Sequence, residues 1–138
     1  MNDSATYRIP GRPVAQGRPR FYRVGAGIRA VDPMASRKWK EKARRAFVAE
    51  SAQLMEGPLS VNVTSVFPLP QKDYSKMKQK KFIFHDKRPD LDNLVKAVLD
   101  AGNGVLYADD CKVVMLSARK VYVPGEEYVE VTVAKVVQ

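Results

Sequence analysis

The stretch Arg88-Pro89-Asp90-Leu91-Asp92-Asn93-Leu94-Val95-Lys96-Ala97-Val98-Leu99-Asp100 sets three carboxylates and a lysine close together, and a second acidic pair, Asp109-Asp110, follows after Tyr107. Carboxylates brought together repel one another, and at least one has its pKa raised unless a cation sits among them. The chain has a single histidine and a single cysteine. An oxygen-only donor set therefore favours a hard ion, Mg²⁺ or Mn²⁺. Such an ion binds phosphate oxygens, helps to ionise a water and neutralises the charge that develops on a phosphodiester during in-line attack. A lysine beside the acids stabilises pentacovalent charge or orients the water or the leaving group.

The same residues admit a plainer account. Asp90 is then an ordinary N-cap, Asp92–Lys96 a surface ion pair and Asp109-Asp110 an acidic turn. Asp-x-Asp also serves phosphatases as nucleophile and glycosyltransferases as a Mn²⁺ chelate. Against the phosphatase stand the absence of a Thr two residues after Asp92 and the polar run His85-Asp86-Lys87-Arg88-Pro89, which is no apolar strand. Against the glycosyltransferase stands the short chain.

The elements that must position these residues are legible. Proline pushes Arg88 out of helical space, so Asp90 lies where the chain turns from extended to helical. A helix is expected from Asp90 or Leu91 to about Gly102–Gly104, with Leu94, Val95, Val98 and Leu99 buried. Asp92, Lys96 and Asp100 then stack at i, i+4 and i+8 on a polar face, with Lys96 reaching back toward Asp92. An earlier helix is expected over 34–55, opened by Asp32 as N-cap with Pro33 at the first helical position and stopped by Gly57-Pro58. Its apolar stripe is Trp39, Ala43, Ala46, Phe47 and Leu54, amid basic residues that read as a solvated face.

Alternation predicts strands over 5–10 and 59–67, then 111–123 and 127–137 joined by a Pro124-Gly125 turn into a closing hairpin. Gly25 and Gly27 separate two short extended arms, 20–24 and 28–31. A short helix is expected over 75–81. The sum is an α/β (α+β) chain: a single-domain two-layer sandwich over 1–138, helices packed on a mixed β-sheet.

The 138 residues hold 24 Lys+Arg against 15 Asp+Glu, a net charge of +9 that points to a polyanionic partner, nucleic acid first. Hydrophobic residues at 45% and charged residues at 28% exclude wholesale disorder. One cysteine excludes a disulfide framework and a Cys-rich zinc site, and one histidine a His cluster. No apolar run approaches the roughly 18–20 residues of a membrane span. The first residues lack the pattern of a signal peptide, so a cytoplasmic location is expected. The basic candidates for phosphate contact are Arg18, Arg20 and Arg23, the run Lys72, Lys76, Lys78, Lys80 and Lys81, and Arg88.

Arg-Pro-Asp-Leu-Asp-Asn-Leu-x-Lys-Ala-x-x-Asp-Ala from Arg88, then Val-Leu-Tyr-Ala-Asp-Asp ending at Asp110, resembles the RusA family of Holliday junction resolvases. Gly17-Arg18-Pro19-Arg20-Phe21 resembles that family's early basic motif, and the resemblance covers most of the chain in order. It implies a RusA-like fold and a small homodimeric, Mg²⁺-dependent endonuclease, common in phages and prophages, that nicks four-way DNA junctions symmetrically. A C2 dimer offers two equivalent sites to a junction of approximate two-fold symmetry. Carried over, the catalytic and metal-holding carboxylates fall on Asp90, Asp92 and Asp110, and the essential lysine on Lys96. Asp109 is a helper, Asp100 matches a recurrent position and Asn93 matches as well. The chain departs from members that place an aromatic wedge just before the first Asp, since Arg88-Pro89 stands there. Phe82, Phe84 and Tyr107 are the nearby aromatics. The rival functions are a non-catalytic DNA-binding module, a nuclease of flaps or other branched DNA, and a small-molecule phosphohydrolase.

Overall fold

Alternation along β4, Leu59–Pro68, buries Leu59, Val61 and Val63 on one side and leaves Asn62 and Thr64 toward the other. The same period recurs in β1, Ser4–Pro10, through Tyr7 and Ile9, and in β7, Tyr128–Lys135, through Val129, Val131 and Val133. Two helices cover this apolar face. They are α1, Met34–Ala49, which contributes Trp39, Ala43 and Phe47, and α2, Leu91–Gly102, which contributes Ala97, Val98 and Ala101. A computed structural model describes these elements over residues 3–138. Met1 and Asn2, at the start where no leader was read, lie outside the described residues. The fold is the expected single-domain α/β sandwich with a mixed sheet. Among the described residues no helix is long and apolar enough to cross a membrane.

The sheet also contains β6, Val113–Val123, and a two-residue strand β5, Ile83–Phe84, in the order β1-β7-β4-β6-β5. β4 runs parallel to β6 and antiparallel to β7. The closing hairpin read from the sequence is thus not formed, because β7 passes the Pro124-Gly125 turn and lands between β1 and β4 instead. The reason lies in β4. Its apolar side chains need neighbours on both edges, and its parallel partner β6 is reached by the crossover that α2 supplies. A separate ribbon of β2, Arg20–Val24, and β3, Gly27–Val31, stands apart from this sheet, close to the expected arms.

Three local expectations are corrected. Helix α1 stops at Ala49, six residues short of the predicted end. Ser51 adopts φ 61°, and the N–H groups of Ser51 and Ala52 donate to the carbonyls of Val48 and Phe47 at 2.9 and 3.0 Å, a Schellman closure. Leu54 consequently leaves the stripe and is exposed. At the other end Asp32 does not cap α1; Pro33 holds the capping position without a side-chain bond, and the Asp32 carboxylate turns to Lys40. The helix expected at 75–81 is a 3-10 segment at Gln71–Lys76, ended near Lys78 at φ 48°.

Candidate active site

Helix α2 begins where the Arg88-Pro89 peptide, which is cis, meets Asp90 in an extended conformation (φ −69°, ψ 140°). Asp90 makes no side-chain cap. The turn is held from the sheet. Lys120 on β6 donates from Nζ to the carbonyls of Lys87 and of Pro89, the latter at 2.6 Å. Beside it His85 is buried, stacked on Tyr122 at 4.1 Å and edge-on to Phe67, while its Nδ1 accepts the Lys87 N–H at 3.2 Å. Burial first, then Lys120, hold this imidazole below its ordinary pKa, so the ring packs as the neutral acceptor that the Lys87 bond requires.

On α2 the expected stacking is present. Asp92, Lys96 and Asp100 line one cleft of about 470 Å³ with Asp110, over an apolar wall of Leu91, Val95, Leu99, Leu116 and Ala118. The expected reach of Lys96 back to Asp92 is not made. Asp92 Oδ1 accepts the N–H of Asn93 at 2.9 Å, and Lys96 is exposed at the cleft. Asp90 instead borders an adjoining depression with Ala15, Arg88, Pro89 and Asn93. Among the described residues no three acidic, histidine or cysteine side chains stand close enough together to hold a metal ion. The structure therefore brings Asp92 and Asp110 to one cleft and leaves Asp90 at its neighbour.

The electrostatics of the cleft are one-sided. Desolvation, then the Asp109 charge, raise the Asp110 carboxyl above the usual carboxylate range; Asp100 adds to this and the Asn103 amide opposes it. Asn103, just past the end of α2, fixes this loop by accepting the Asp110 N–H at 2.9 Å. Tyr107 is buried and donates to the Leu99 carbonyl at 2.8 Å, so of the three nearby aromatics it is the one withdrawn from the surface. It rests so closely on Gly102 that a Cβ there would lie 2.6 Å from the phenol oxygen. Phe84 is exposed, with Phe82 edge-on to it at 5.3 Å.

Two residues beside the candidate site escape sequence reasoning. Lys40 is buried between the helices, with Nζ 2.7 Å from Asp32 Oδ2 and 3.9 Å from Asp100 Oδ2. Its hydrogen bond, ahead of its charge, holds the Asp32 carboxyl below the usual range. Lys40 adjoins Trp39 on the buried face of α1, a clue in principle, but it sits among so many basic residues that nothing singles it out. Asn103 has no signal beyond following Gly102. Of the basic residues, Arg18, Arg20, Arg23, Lys72, Lys76, Lys78, Lys80, Lys81 and Arg88 are all exposed, and Lys76 is paired with Asp73 at 3.1 Å.

Comparison with known proteins decides the family. The model of the family Endodeoxyribonuclease RusA matches residues 10–134, a span that includes every acid of the cleft. The chain belongs to the RusA family. This RusA-family chain is also 36% identical over 143 residues to the uncharacterized protein YqaN of Bacillus subtilis (strain 168), covering 97% of the chain and 98% of that protein.

Proposed function

We propose that this RusA-family chain is a Mg²⁺-dependent, structure-selective endonuclease that resolves four-way DNA junctions by paired phosphodiester hydrolysis. The observation that carries the reading is the cleft where Asp92, Asp100, Lys96 and Asp110 meet, with desolvation and then like charges raising the Asp110 carboxyl. A site with this excess of negative oxygen suits a hard cation. Asp92 and Asp110 would hold it from the cleft, Asp90 would join them only by moving over from the adjoining depression, and Mn²⁺ is a fitting substitute. When bound there, the ion supplies Lewis acidity toward phosphate and an ionised water. Lys96 presents a positive charge to the scissile phosphate, while the apolar wall from Val95 to Ala118 excludes bulk water and strengthens that interaction. Asp109 and Asp100 shape the field around Asp110, the Asn93 N–H orients the Asp92 carboxylate, and Asn103 holds the Asp109-Asp110 loop in place.

Paired nicks require two sites, and β6 offers a way to bring them together. Its outer edge is paired by β5 only at Val121 and Tyr122. Val114, Met115 and Leu116 lie beyond that pairing and are exposed, Met115 at 59%. A long apolar edge of this kind invites another strand, and a second copy of the chain supplies one. Met115→Lys should set like charges against each other in such a pair. Sedimentation of the variant should then report a halved mass, and an unchanged mass would move the dimer contact elsewhere.

The deciding experiment incubates a labelled mobile four-way junction with the protein, with and without Mg²⁺, beside Asp92→Asn. Opposed nicks that need the ion and vanish in the variant support the resolvase reading. The dispersed position of Asp90 relative to the cleft favours a second reading, a DNA-binding protein without cleavage. Tight junction binding with no nicks under any divalent ion would select it.

A further inference from the structure

The ribbon β2–β3 buries almost none of itself, although an isolated two-stranded hairpin is marginal in water. Phe21 is 71% exposed and Ile28 76% exposed, and Tyr22 and Val24 are exposed as well. The cross-strand register sets Phe21 opposite Ala30 and Arg23 opposite Ile28, so one face carries Phe21, Arg23 and Ile28. The other carries Arg20, Tyr22 and Arg29. Each face thus pairs an aromatic ring with at least one guanidinium. No carboxylate occurs from Ser4 to Val31. The turn Gly25-Ala26 has glycine at φ 58° in its first central position, which gives the ribbon a tight, uncharged tip.

The neck of this ribbon is tied to both helices and lies beside the candidate site. The Gln16 N–H donates to the Asn93 carbonyl on α2 at 2.9 Å, and the Gly17 N–H to Ser36 Oγ on α1 at 2.8 Å. At the other strand's end Asp32 is clamped by Lys40, which also approaches Asp100. Ala15 itself borders the depression with Asp90. A ligand gripped by the ribbon is therefore held at a fixed position relative to Asp90 and α2.

We propose that the β2–β3 ribbon is a grip for DNA whose bases are exposed at a branch point: Phe21 and Ile28 pack on unstacked bases while Arg20, Arg23 and Arg29 hold the flanking phosphates. The inference rests on the nucleic-acid reading above. Charge chooses the polyanion, and aromatic and aliphatic tips beside guanidinium groups suit base faces, which every sequence offers. The ribbon has no Asn, Gln, Asp or Glu from Arg18 to Val31 with which to read adenine or cytosine edges, in keeping with recognition of shape rather than sequence.

The test measures anisotropy of a labelled four-way junction and of an uninterrupted duplex of equal length, in EDTA, with the wild type and Phe21→Ala/Ile28→Ala. Both side chains are exposed, so the variant should melt like the wild type. Loss of about 10-fold or more in junction affinity, with duplex affinity changed less than 2-fold, supports the grip. Equal losses on both DNAs, or none, overturn it, as does a drop from dimer to monomer in sedimentation with junction affinity per site unchanged, which would make the ribbon a self-association arm. A parallel cleavage assay in Mg²⁺ separates the two levels. Wild-type protein that nicks junctions while the variant binds them normally defeats only the grip, whereas wild-type protein that neither binds nor nicks junctions defeats the nuclease reading and the grip together.

Discussion

The two ends of α2 treat charge in opposite ways. Under its first turn Lys120 meets the carbonyls of Lys87 and Pro89, and His85 stays neutral against Tyr122. Past its last turn Asp110 faces Asp109 and Asp100, and its carboxyl is raised by desolvation first and then by their charge. Near that same end Lys40 neutralises Asp32 and reaches Asp100, but it does not extend the favour to Asp110. Charges that serve the fold are matched by oxygen inside it. The charge left unmatched coincides with the proposed binding cleft.

The sharpest way to break this contrast is Asp110→Asn. A raised pKa means that the folded state disfavours the ionised carboxylate, so at neutral pH removing the charge should leave the melting temperature unchanged or higher. Turnover on branched DNA should fall on the order of 100-fold or more. A lower melting temperature with turnover retained would make Asp110 a structural residue and dissolve the comparison. A smaller effect is expected from Gly102→Ala at the same end. The added Cβ meets the Tyr107 ring, which is locked by its bond to Leu99, and should cost about 1–3 kcal/mol in denaturant unfolding. No measurable loss would show that the acidic loop has slack.

The weakest effect belongs to the matched end and sharpens the contrast through pH. The folded His85 resists protonation because it is buried and then because Lys120, Arg12 and Lys87 surround it, with Asp86 opposing them, whereas in the unfolded chain it takes up its proton near 6.5. Its contribution to stability is thus fully present above that pH and declines as pH falls toward the depressed folded value. His85→Gln should remove this part of the stability profile between about pH 7 and 5. A variant with the wild-type slope would assign the dependence to other groups.

The legible and illegible parts of the molecule divide along similar lines. Helix α2, its buried stripe and the stacking of Asp92, Lys96 and Asp100 follow from local periodicity, and so do the two arms around Gly25. Proline and the amphipathic pattern place those residues whatever the rest of the chain does. What could not be read depends on distant partners. β7 lies beside β4 because β4 has two edges to fill, and Lys40 matters because Asp32 and Asp100 arrive around it. Asp90 and Asp92 are two residues apart yet line different hollows, because α2 starts between them and the chain before it is extended. The end of α1 at Ser51 was hidden for another reason, since a left-handed serine leaves no mark comparable to glycine.

The pairing of β1 with β7 joins Thr6 to Thr132, 126 positions apart along the chain. During synthesis the first strand must wait for residues 128–135 before its partner exists. Closing so wide a loop is slow, and until then the apolar side chains of Tyr7 and Ile9 have only α1 to lean on. Leu116 and Ala118 of β6 wall the acidic cleft, so the cleft is complete only with β6 in place on β4. A chain stopped before β6 and β7 would therefore lack both a closed sheet and a formed acidic cleft, so that the proposed cutting activity waits on those two strands.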